Sequence, residues 1–201
     1  MCIRDSNEEL GSAVLAGTII TLISTALVPY FSKMIGKRNT MLLGMIGTAI
    51  SQLILHFADK MNGNVPMILF GMLVYYISYG LVGALIAVML SDAVDFGEWK
   101  NGVRAEGLVT SFSSFSAKLG MGLGSMLLST VLTAGGYIAI SNVSTASQNL
   151  SALNAIRMGF IWIPMFGYIA SGIVLLFNNV DKIETKMTND LSVKHRLEQS
   201  E

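Results

Sequence analysis

The sequence predicts an all-α integral membrane protein that crosses the bilayer about five times. Hydrophobic residues make up 52% of its 201 residues, charged residues make up only 13%, and the mean hydropathy is +0.60. An ordinary soluble domain carries about 25% charged residues, so a soluble fold of this length would have too few charges for its surface. The apolar residues are also collected into long runs that short polar connections separate. Such runs are typical of helices that span a membrane.

Each of the five apolar runs is long enough to be a membrane-spanning helix. A hydrocarbon core of about 30 Å needs roughly 20 helical residues, and the second run lies near the lower limit. Short connections between the runs leave no room for a soluble domain. The predicted spans are approximately Leu10–Phe31, Met41–Phe57, Pro66–Leu90, Gly107–Ala134 and Ile156–Phe177.

The two ends of the chain lie outside the predicted spans. Residues 1–6 (MCIRDS) match no helix, signal or anchor pattern, and we expect them to be a non-native N-terminal scar. Glu8 and Glu9, rather than a basic segment, precede the first apolar run, which argues against a cleaved signal peptide. We therefore expect the chain to begin inside a longer protein. Residues 7–177 form the membrane part, and residues 178–201 form a polar tail.

The distribution of Lys and Arg predicts the orientation. Cytoplasmic connections carry an excess of these residues. The opposite side holds only Lys60 and Arg157, with Arg4 in addition if the first six residues are native. We therefore expect a multi-pass protein of the cell (inner) membrane with a cytoplasmic C-terminus. The basic residues on the predicted cytoplasmic side are Lys33, Lys37, Arg38, Lys100, Arg104, Lys182, Lys186, Lys194 and Arg196.

Composition and motifs disfavour several classes of function. The formal net charge is zero, which gives no basis for binding nucleic acid. Cys2 is the single cysteine, so an internal disulfide framework is excluded. His56 lies at a span end and His195 in the tail, and no catalytic set, metal-ligand cluster or phosphate-binding loop accompanies them. We predict no enzyme activity, no catalytic residue and no metal site.

Lys118 is the one charged residue that lies well inside a predicted span. It is about eleven residues, or roughly 16 Å, into its helix. A lysine at that depth costs about 2.5–3.5 kcal/mol on insertion scales. Snorkelling to the interface, a structural ion pair, and a role in substrate binding or coupling are all open. No carboxylate of the chain lies at a matching depth. One helical face carries Ser111, Ser114, Lys118, Gly122, Ser125 and Ser129, and such a stripe suits a water-filled cavity.

The connection after the third span is rich in acids. It reads SDAVDFGEWKNGVRAEG over residues 91–107, and Asp92, Asp95 and Glu98 follow one another at intervals of three. They would lie near one face if the helix continues past the membrane. A solvated loop is one interpretation, and a cytoplasmic gate closed by salt bridges with Arg104 is another. Metal chemistry is disfavoured, because the Asp motifs of intramembrane transferases have a different spacing.

These residues also carry a family resemblance. The run DAVDFGEWKNGVRAEG, followed by SFSSFSAKLG, resembles the region around the tenth and eleventh helices of the glycoside–pentoside–hexuronide:cation symporters. This is the melibiose-permease branch of the major facilitator superfamily, and the ordered match extends from Asp92 to Gly120. The resemblance implies that the spans correspond to helices 8–12 of a twelve-helix transporter. Such a protein imports a sugar or glycoside together with Na⁺ or H⁺ by alternating access.

The resemblance also implies roles for particular residues. Lys118 matches a lysine of the eleventh helix that lies near the cation and sugar sites. Ser113 and Ser114 are matching neighbours on that helix, and Ser111 belongs to the same polar stripe. Gly83 occupies the position at which the melibiose branch has a tryptophan on the tenth helix.

The expected partners follow from the same resemblance. They are a sugar or glycoside, the coupling cation, the lipid bilayer and the missing N-terminal half of the transporter. That half would supply most of the ligands of the coupling cation, and no other cofactor is expected. The alternative is a polytopic membrane protein that does not transport, such as a scaffold or an intramembrane transferase.

Overall fold

The computed structural model describes residues 7–61, 64–137, 149–177 and 183–198. These ranges are almost entirely helical and contain no β-strand. A five-residue π-helical turn, Met158–Trp162, joins α5 to α6 without a break. The helices are α1 (Asn7–Ile35), α2 (Lys37–Lys60), α3 (Val65–Asn101), α4 (Glu106–Ala134), α5 (Leu150–Arg157), α6 (Ile163–Leu176) and α7 (Glu184–Glu198).

Five helical segments of the described chain are long and apolar enough to cross a membrane. They are Leu15–Ile35 within α1, the whole of α2, α3 and α4, and the continuous run Leu150–Leu176. Each overlaps one predicted span, so the predicted all-α membrane fold is confirmed. The second span is not short, because α2 has 24 residues and extends beyond the predicted segment at both ends.

The largest difference from the predicted spans is at the end of α3. This helix has 37 residues and continues from the predicted end at Leu90 to Asn101. A helix of that length is about 55 Å long, well beyond the hydrocarbon core of about 30 Å. Residues 91–101 are therefore helical rather than a loop. The helix stops where Gly102 takes a left-handed conformation and donates its N–H to the Glu98 carbonyl.

Helices α1, α2 and α3 form the tightly packed part of the fold. Gly36 alone separates α1 from α2, and its φ of 87° is a conformation that residues with a Cβ rarely adopt. The Ser24 hydroxyl of α1 donates to the Ile77 carbonyl of α3. A Cβ on Gly80 would lie 2.8 Å from the Ser24 Cβ. Small residues thus bring these two backbones close, as is usual between helices in lipid.

Helix α6 completes the packed part. It lies against α2, and the core at this contact is formed by Met45, Val82 and Leu175. These three residues come from α2, α3 and α6 respectively. Helices α1, α2, α3 and α6 therefore form one packed group, which has two distinct ends. We call the end that carries the α1–α2 turn, the end of α3 and the α3–α4 connection the basic end.

Helix α4 lies at the edge of this group. None of its residues is buried. It contacts α3, α5 and the π-helical turn. A Cβ on Gly135 would lie 2.3 Å from the Ala155 Cβ, and a Cβ on Gly159 would lie 2.4 Å from the Leu128 side chain. The end of α4 away from the basic end is therefore held by close contacts at two glycines.

The Gly80 contact gives a prediction with a matched control on the same helix. Gly80→Ala should lower the stability of the protein by about 1–3 kcal/mol, because the new methyl group overlaps α1 at Thr21 and Ser24. Gly83→Ala adds the same methyl group where nothing lies within 4 Å, and it should be neutral or stabilise α3 by up to about 1 kcal/mol. Thermal unfolding of both variants in detergent checks this. Equal melting temperatures would contradict the packing of α1 on α3.

Candidate functional site

Lys118 lies near the middle of α4, twelve residues after Glu106 and so about 18 Å along the helix. Its side chain is exposed, and so are Ser111 and Ser114. No hydrogen bond or ion pair joins the Lys118 amino group to another of the described residues. The three residues share one face, as their spacing predicts. This face is open in the structure and lies beside, not on, the side of α4 that packs.

Ser113 differs from the other predicted residues of α4. It is half-buried, as are Val109 and Leu128. At 3.6 residues per turn, Ser113 is rotated by about 140° from Lys118, toward the packed side of the helix. The structure therefore brings Ser111, Ser114 and Lys118 together but turns Ser113 away from them.

The hydroxyl groups of α4 and its single cation differ in the hydrogen-bond partners that they require. Ser125 Oγ donates to the Gly122 carbonyl at 2.9 Å, and Thr130 Oγ1 donates to the Met126 carbonyl at 2.8 Å. Ser and Thr side chains can thus be satisfied within their own helix in an apolar medium. Lys118 has no such option, because an ammonium group has three donors and a full charge. The lysine, rather than the serines, is the feature of this stripe that requires a partner.

At the basic end, Asp92 of α3 pairs with Lys37 at the start of α2. The Lys37 amino group lies 2.8 Å from each carboxylate oxygen of Asp92. The two side chains are only 19% and 17% exposed, so the pair is largely shielded from water. Arg38 connects the same turn to α6, because its guanidinium donates a hydrogen bond to the Leu176 carbonyl at the end of α6. The α1–α2 turn is therefore connected to both α3 and α6.

A second ion-pair group surrounds Arg104 in the α3–α4 connection. The Arg104 guanidinium lies 2.9 Å from both Asp95 and Glu98, and 3.7 Å from Glu106 in the first turn of α4. Arg104 donates hydrogen bonds to Glu98 and Asp95. These bonds, first that to Glu98 and then that to Asp95, raise the pKa of Arg104 above its usual value. Glu98 is only 6% exposed, whereas the Arg104 side chain is 48% exposed. We call Asp95, Glu98 and Arg104 the Arg104 cluster.

Helix α7 contacts the same region. Lys194 Nζ lies 3.9 Å from Glu98 Oε1, and Trp99 Nε1 donates to Asp190 Oδ2 at 2.9 Å. A cavity of about 510 Å³ lies between α7 and the Arg104 cluster; it is lined by Asp95, Arg104, Thr188, Leu191 and Ser192. The predicted gate residues therefore meet the tail as well as each other.

The structure divides the four predicted gate residues into two groups. Asp95, Glu98 and Arg104 are brought together, whereas Asp92 is paired with Lys37. The pairing of Asp92 with Lys37 was not predicted, because no spacing rule connects positions 37 and 92. The contacts of Asp190 and Lys194 were not predicted either, although Met187, Leu191 and Lys194 follow the i, i+4, i+7 spacing of an amphipathic helix.

The opposite end has its own ion pair. Arg157 Nε lies 2.6 Å from Asp59 Oδ2, and Arg157 also contacts Asn154. His56 is half-buried one turn before Asp59, with its ring 5.1 Å from the Trp162 ring. Across residues 7–61, 64–137, 149–177 and 183–198, no group of three or more His, Cys, Asp or Glu side chains is arranged to hold a metal ion.

Five membrane-crossing segments with ion-paired ends define a multi-pass α-helical membrane protein. The chain matches the MFS/sugar transport protein family over residues 2–182, and it belongs to that family. The predicted relation to the sugar symporters of the major facilitator superfamily is thereby confirmed. The family consists of transporters and not of enzymes.

Individual relatives are similar over different lengths. The isoprimeverose transporter of Lactiplantibacillus pentosus is 51% identical over 192 residues, which cover 96% of this chain and 39% of the relative. The glucuronide carrier protein homolog of Escherichia coli (strain K12) is 28% identical over 86% of this chain and 39% of its own length. The inner membrane symporter YicJ of the same organism is 36% identical over 47% of this chain and 20% of its own length. The chain thus spans well under half of these relatives, and no solved structure matches it.

The shielded Lys37–Asp92 pair should contribute to the stability of the fold. Asp92→Asn should lower the stability of the protein by about 1–3 kcal/mol, because Lys37 is left with a neutral partner in a site with little water. Reversing the pair, Lys37→Asp with Asp92→Lys, should recover part of this loss. Lys33→Asn is a control, since it removes an exposed charge from the last turn of α1. Thermal unfolding in detergent measures all three variants, and equal stability of Asp92→Asn and Lys33→Asn would contradict a stabilising role of the Lys37–Asp92 pair.

Proposed function

We propose that this chain is the C-terminal part of a secondary active transporter, which imports a sugar or glycoside together with Na⁺ or H⁺ by alternating access. In this proposal its membrane-crossing segments are helices 8–12 of a twelve-helix protein. The observation that carries the proposal is Lys118, an exposed cation in the middle of a membrane-crossing helix. Intramembrane charges commonly mark the path of a substrate or ion.

The relatives support a sugar as the substrate class. One that is similar over nearly the whole chain is named as an isoprimeverose transporter, and another as a homolog of a glucuronide carrier protein. Both names refer to carbohydrates. We therefore propose a sugar or glycoside as the transported molecule.

In this proposal Lys118 has an acidic partner outside the described chain. At about 4 Å and an effective dielectric constant of 20, one carboxylate contributes roughly 4 kcal/mol of attraction. This attraction is of the same order as the cost of about 2.5–3.5 kcal/mol for placing a lysine at the centre of a membrane. The proposed N-terminal half would supply this carboxylate and most of the ligands of the coupling cation. Occupancy of that carboxylate by Na⁺ or H⁺ would change the field at Lys118, and this change links the ion to the sugar.

The serines of α4 have different proposed roles. Ser111 and Ser114 share the open face with Lys118 and offer hydroxyl groups to a sugar. Ser113 is half-buried on the packed side, and we expect it to act through the packing of α4. The coupling site is therefore centred on Lys118 and Ser114.

The basic end would be the cytoplasmic side, because Lys and Arg concentrate there. We propose that the Arg104 cluster belongs to a cytoplasmic gate. Arg104 is about half exposed, so it can exchange carboxylate partners with little loss of solvation. Asp92 is better shielded and acts as a fixed brace beside the gate. Closing the gate would bring residues of the N-terminal half against Asp95, Glu98 and Arg104.

Lys118→Leu tests the coupling proposal in the full-length transporter that carries this chain. Ion-stimulated sugar uptake should fall at least about tenfold, because the link between ion and sugar occupancy is lost. Lys118→Arg, which keeps the charge, should retain more uptake than Lys118→Leu. Lys60→Leu removes a lysine from the end of α2 and serves as the control. Uptake of isotope-labelled sugar by membrane vesicles, with and without an ion gradient, is the measurement.

Two results would contradict these proposals. Near-normal uptake by Lys118→Leu would exclude Lys118 from coupling. Absence of uptake of any tested sugar or glycoside by the unmodified full-length protein, with correct membrane insertion, would favour a non-transporting membrane protein.

Arg104→Gln tests the gate. Loss of the cation should leave Asp95 and Glu98 to repel each other, and the transporter should then open more often toward the cytoplasm. Gly107→Cys provides a reporter, because it lies on the face of Lys118 and a side chain there meets nothing within 4 Å. In a background without other cysteines, labelling from the cytoplasmic side should rise about twofold to tenfold. Lys100→Gln removes an exposed cation from the same region as a control, and equal labelling of both variants would contradict the gate.

A further inference from the structure

Helix α7 carries one stripe that faces α3. Met187 is 1% exposed and Leu191 is 8% exposed, and the two residues are one helical turn apart. Asp190 and Lys194 continue the same stripe at spacings of three and seven from Met187. The α7 stripe, Met187, Asp190, Leu191 and Lys194, therefore combines two apolar contacts with two polar ones. Away from this stripe, Lys186, Asn189 and Arg196 are exposed.

The two polar residues of the α7 stripe reach neighbouring residues of α3. Asp190 accepts the hydrogen bond from the Trp99 indole, and Lys194 lies beside the Glu98 carboxylate. Glu98 is also the most shielded carboxylate in the ion pairs of the basic end. Arg104 approaches it from the α3–α4 connection, while Lys194 approaches it from α7. Glu98 thus receives one cation from each of two separate segments.

The Arg104 cluster in turn holds the beginning of α4. Arg104 contacts Glu106, the first residue of α4, in addition to its two partners on α3. Since α4 has no buried residue, packing alone holds it weakly at this end. A continuous set of contacts therefore runs from α7 through Glu98 and Arg104 to the helix that carries Lys118.

We propose that α7 is a strap whose Asp190 and Lys194 position Glu98 for Arg104 and thereby hold the basic end in its closed arrangement. When α7 is docked, Glu98 stays shielded and its carboxylate is available to Arg104. When α7 leaves, Glu98 becomes solvated, Arg104 is held less firmly, and the first turn of α4 is released. Lys194 and Asp190 are positioning residues and do not contact the substrate.

The strap goes beyond the family match, which ends at residue 182 and so before α7 begins. Its consequence for transport rests on the proposed sugar–cation import. The docking of α7 stands on its own contacts with α3, whereas its effect on labelling rests in addition on the proposed gate at the Arg104 cluster.

The test uses the full-length transporter with the Gly107→Cys reporter in a background without other cysteines. Lys194→Gln should raise labelling from the cytoplasmic side about twofold to fivefold, the range expected when one partly exposed ion pair is lost. Lys186→Gln is the matched control, because it removes an exposed lysine from the same helix. Lys194→Arg keeps the charge and should restore the labelling rate of the unmodified protein.

Two further variants keep the test independent of a single ion pair. Deletion of residues 184–201 removes α7 and should raise labelling at least as much as Lys194→Gln. Trp99→Phe, Asp190→Ala and their combination should all raise labelling by the same factor, because each removes the same hydrogen bond. Additive effects of the two single changes would show that the Trp99–Asp190 contact is not what holds the strap.

The outcomes separate the strap from the transport proposal. Equal labelling of Lys194→Gln, Lys186→Gln and the deletion variant, in a protein that takes up sugar, would overturn the strap and leave the function standing. A labelling response to Lys194→Gln and to the deletion, in a protein that takes up no sugar, would support the strap and overturn the proposed substrate.

Discussion

The close approach of α1 to α3 at Ser24 and Gly80 is the contact on which the rest of the structure depends. In lipid, apolar side chains gain little by meeting each other, so helices associate where small residues let their backbones approach. The Ser24 hydroxyl adds a hydrogen bond to the Ile77 carbonyl at this point. With α1 fixed on α3, the single-residue turn at Gly36 determines where α2 begins. Lys37 is thereby placed next to Asp92, and the two residues form the shielded ion pair of the basic end.

Helix α4 is held in a different way, and this difference has mechanical consequences. It has no buried residue along its 29 residues, so it is attached mainly near its ends. Gly135 and Leu128 contact α5 and the π-helical turn at one end, and Arg104 joins the first turn to α3 at the other. A stiff helix fixed near its ends moves as a unit when either attachment changes. A change in the Arg104 cluster therefore reaches Lys118 through the helix itself, without a chain of buried side chains between them.

Much of the fold was predictable because long apolar runs and small residues are local signals. The five spans followed from the length of the apolar runs, and the shared face of Ser111, Ser114 and Lys118 followed from helical periodicity. The extension of α3 to Asn101 could also be predicted, because glycine commonly ends a helix and Gly102 follows. The acidic composition of residues 91–107 favoured the alternative of a solvated loop. The π-helical turn lies directly before Pro164, and in it the Ile163 N–H donates to the Met158 carbonyl, five residues back, rather than four as in an α-helix. The Lys37–Asp92 pair was not predictable, because its members meet only after three helices have packed.

Ion pairs lie at the two ends of the packed helix group. Lys37, Arg104 and Lys194 meet carboxylates at the basic end, and Arg157 meets Asp59 at the opposite end. Lys118 lies between them, and the acids nearest to it in sequence, Glu98 and Glu106, are engaged with Arg104. A lysine in that position is stable only if water or a carboxylate from outside the described chain approaches it. Water alone would leave its field constant, whereas a carboxylate that binds and releases a cation would vary it. Under the proposed coupling role only the second arrangement serves, and that proposal therefore expects the carboxylate on an ion-binding surface that faces α4.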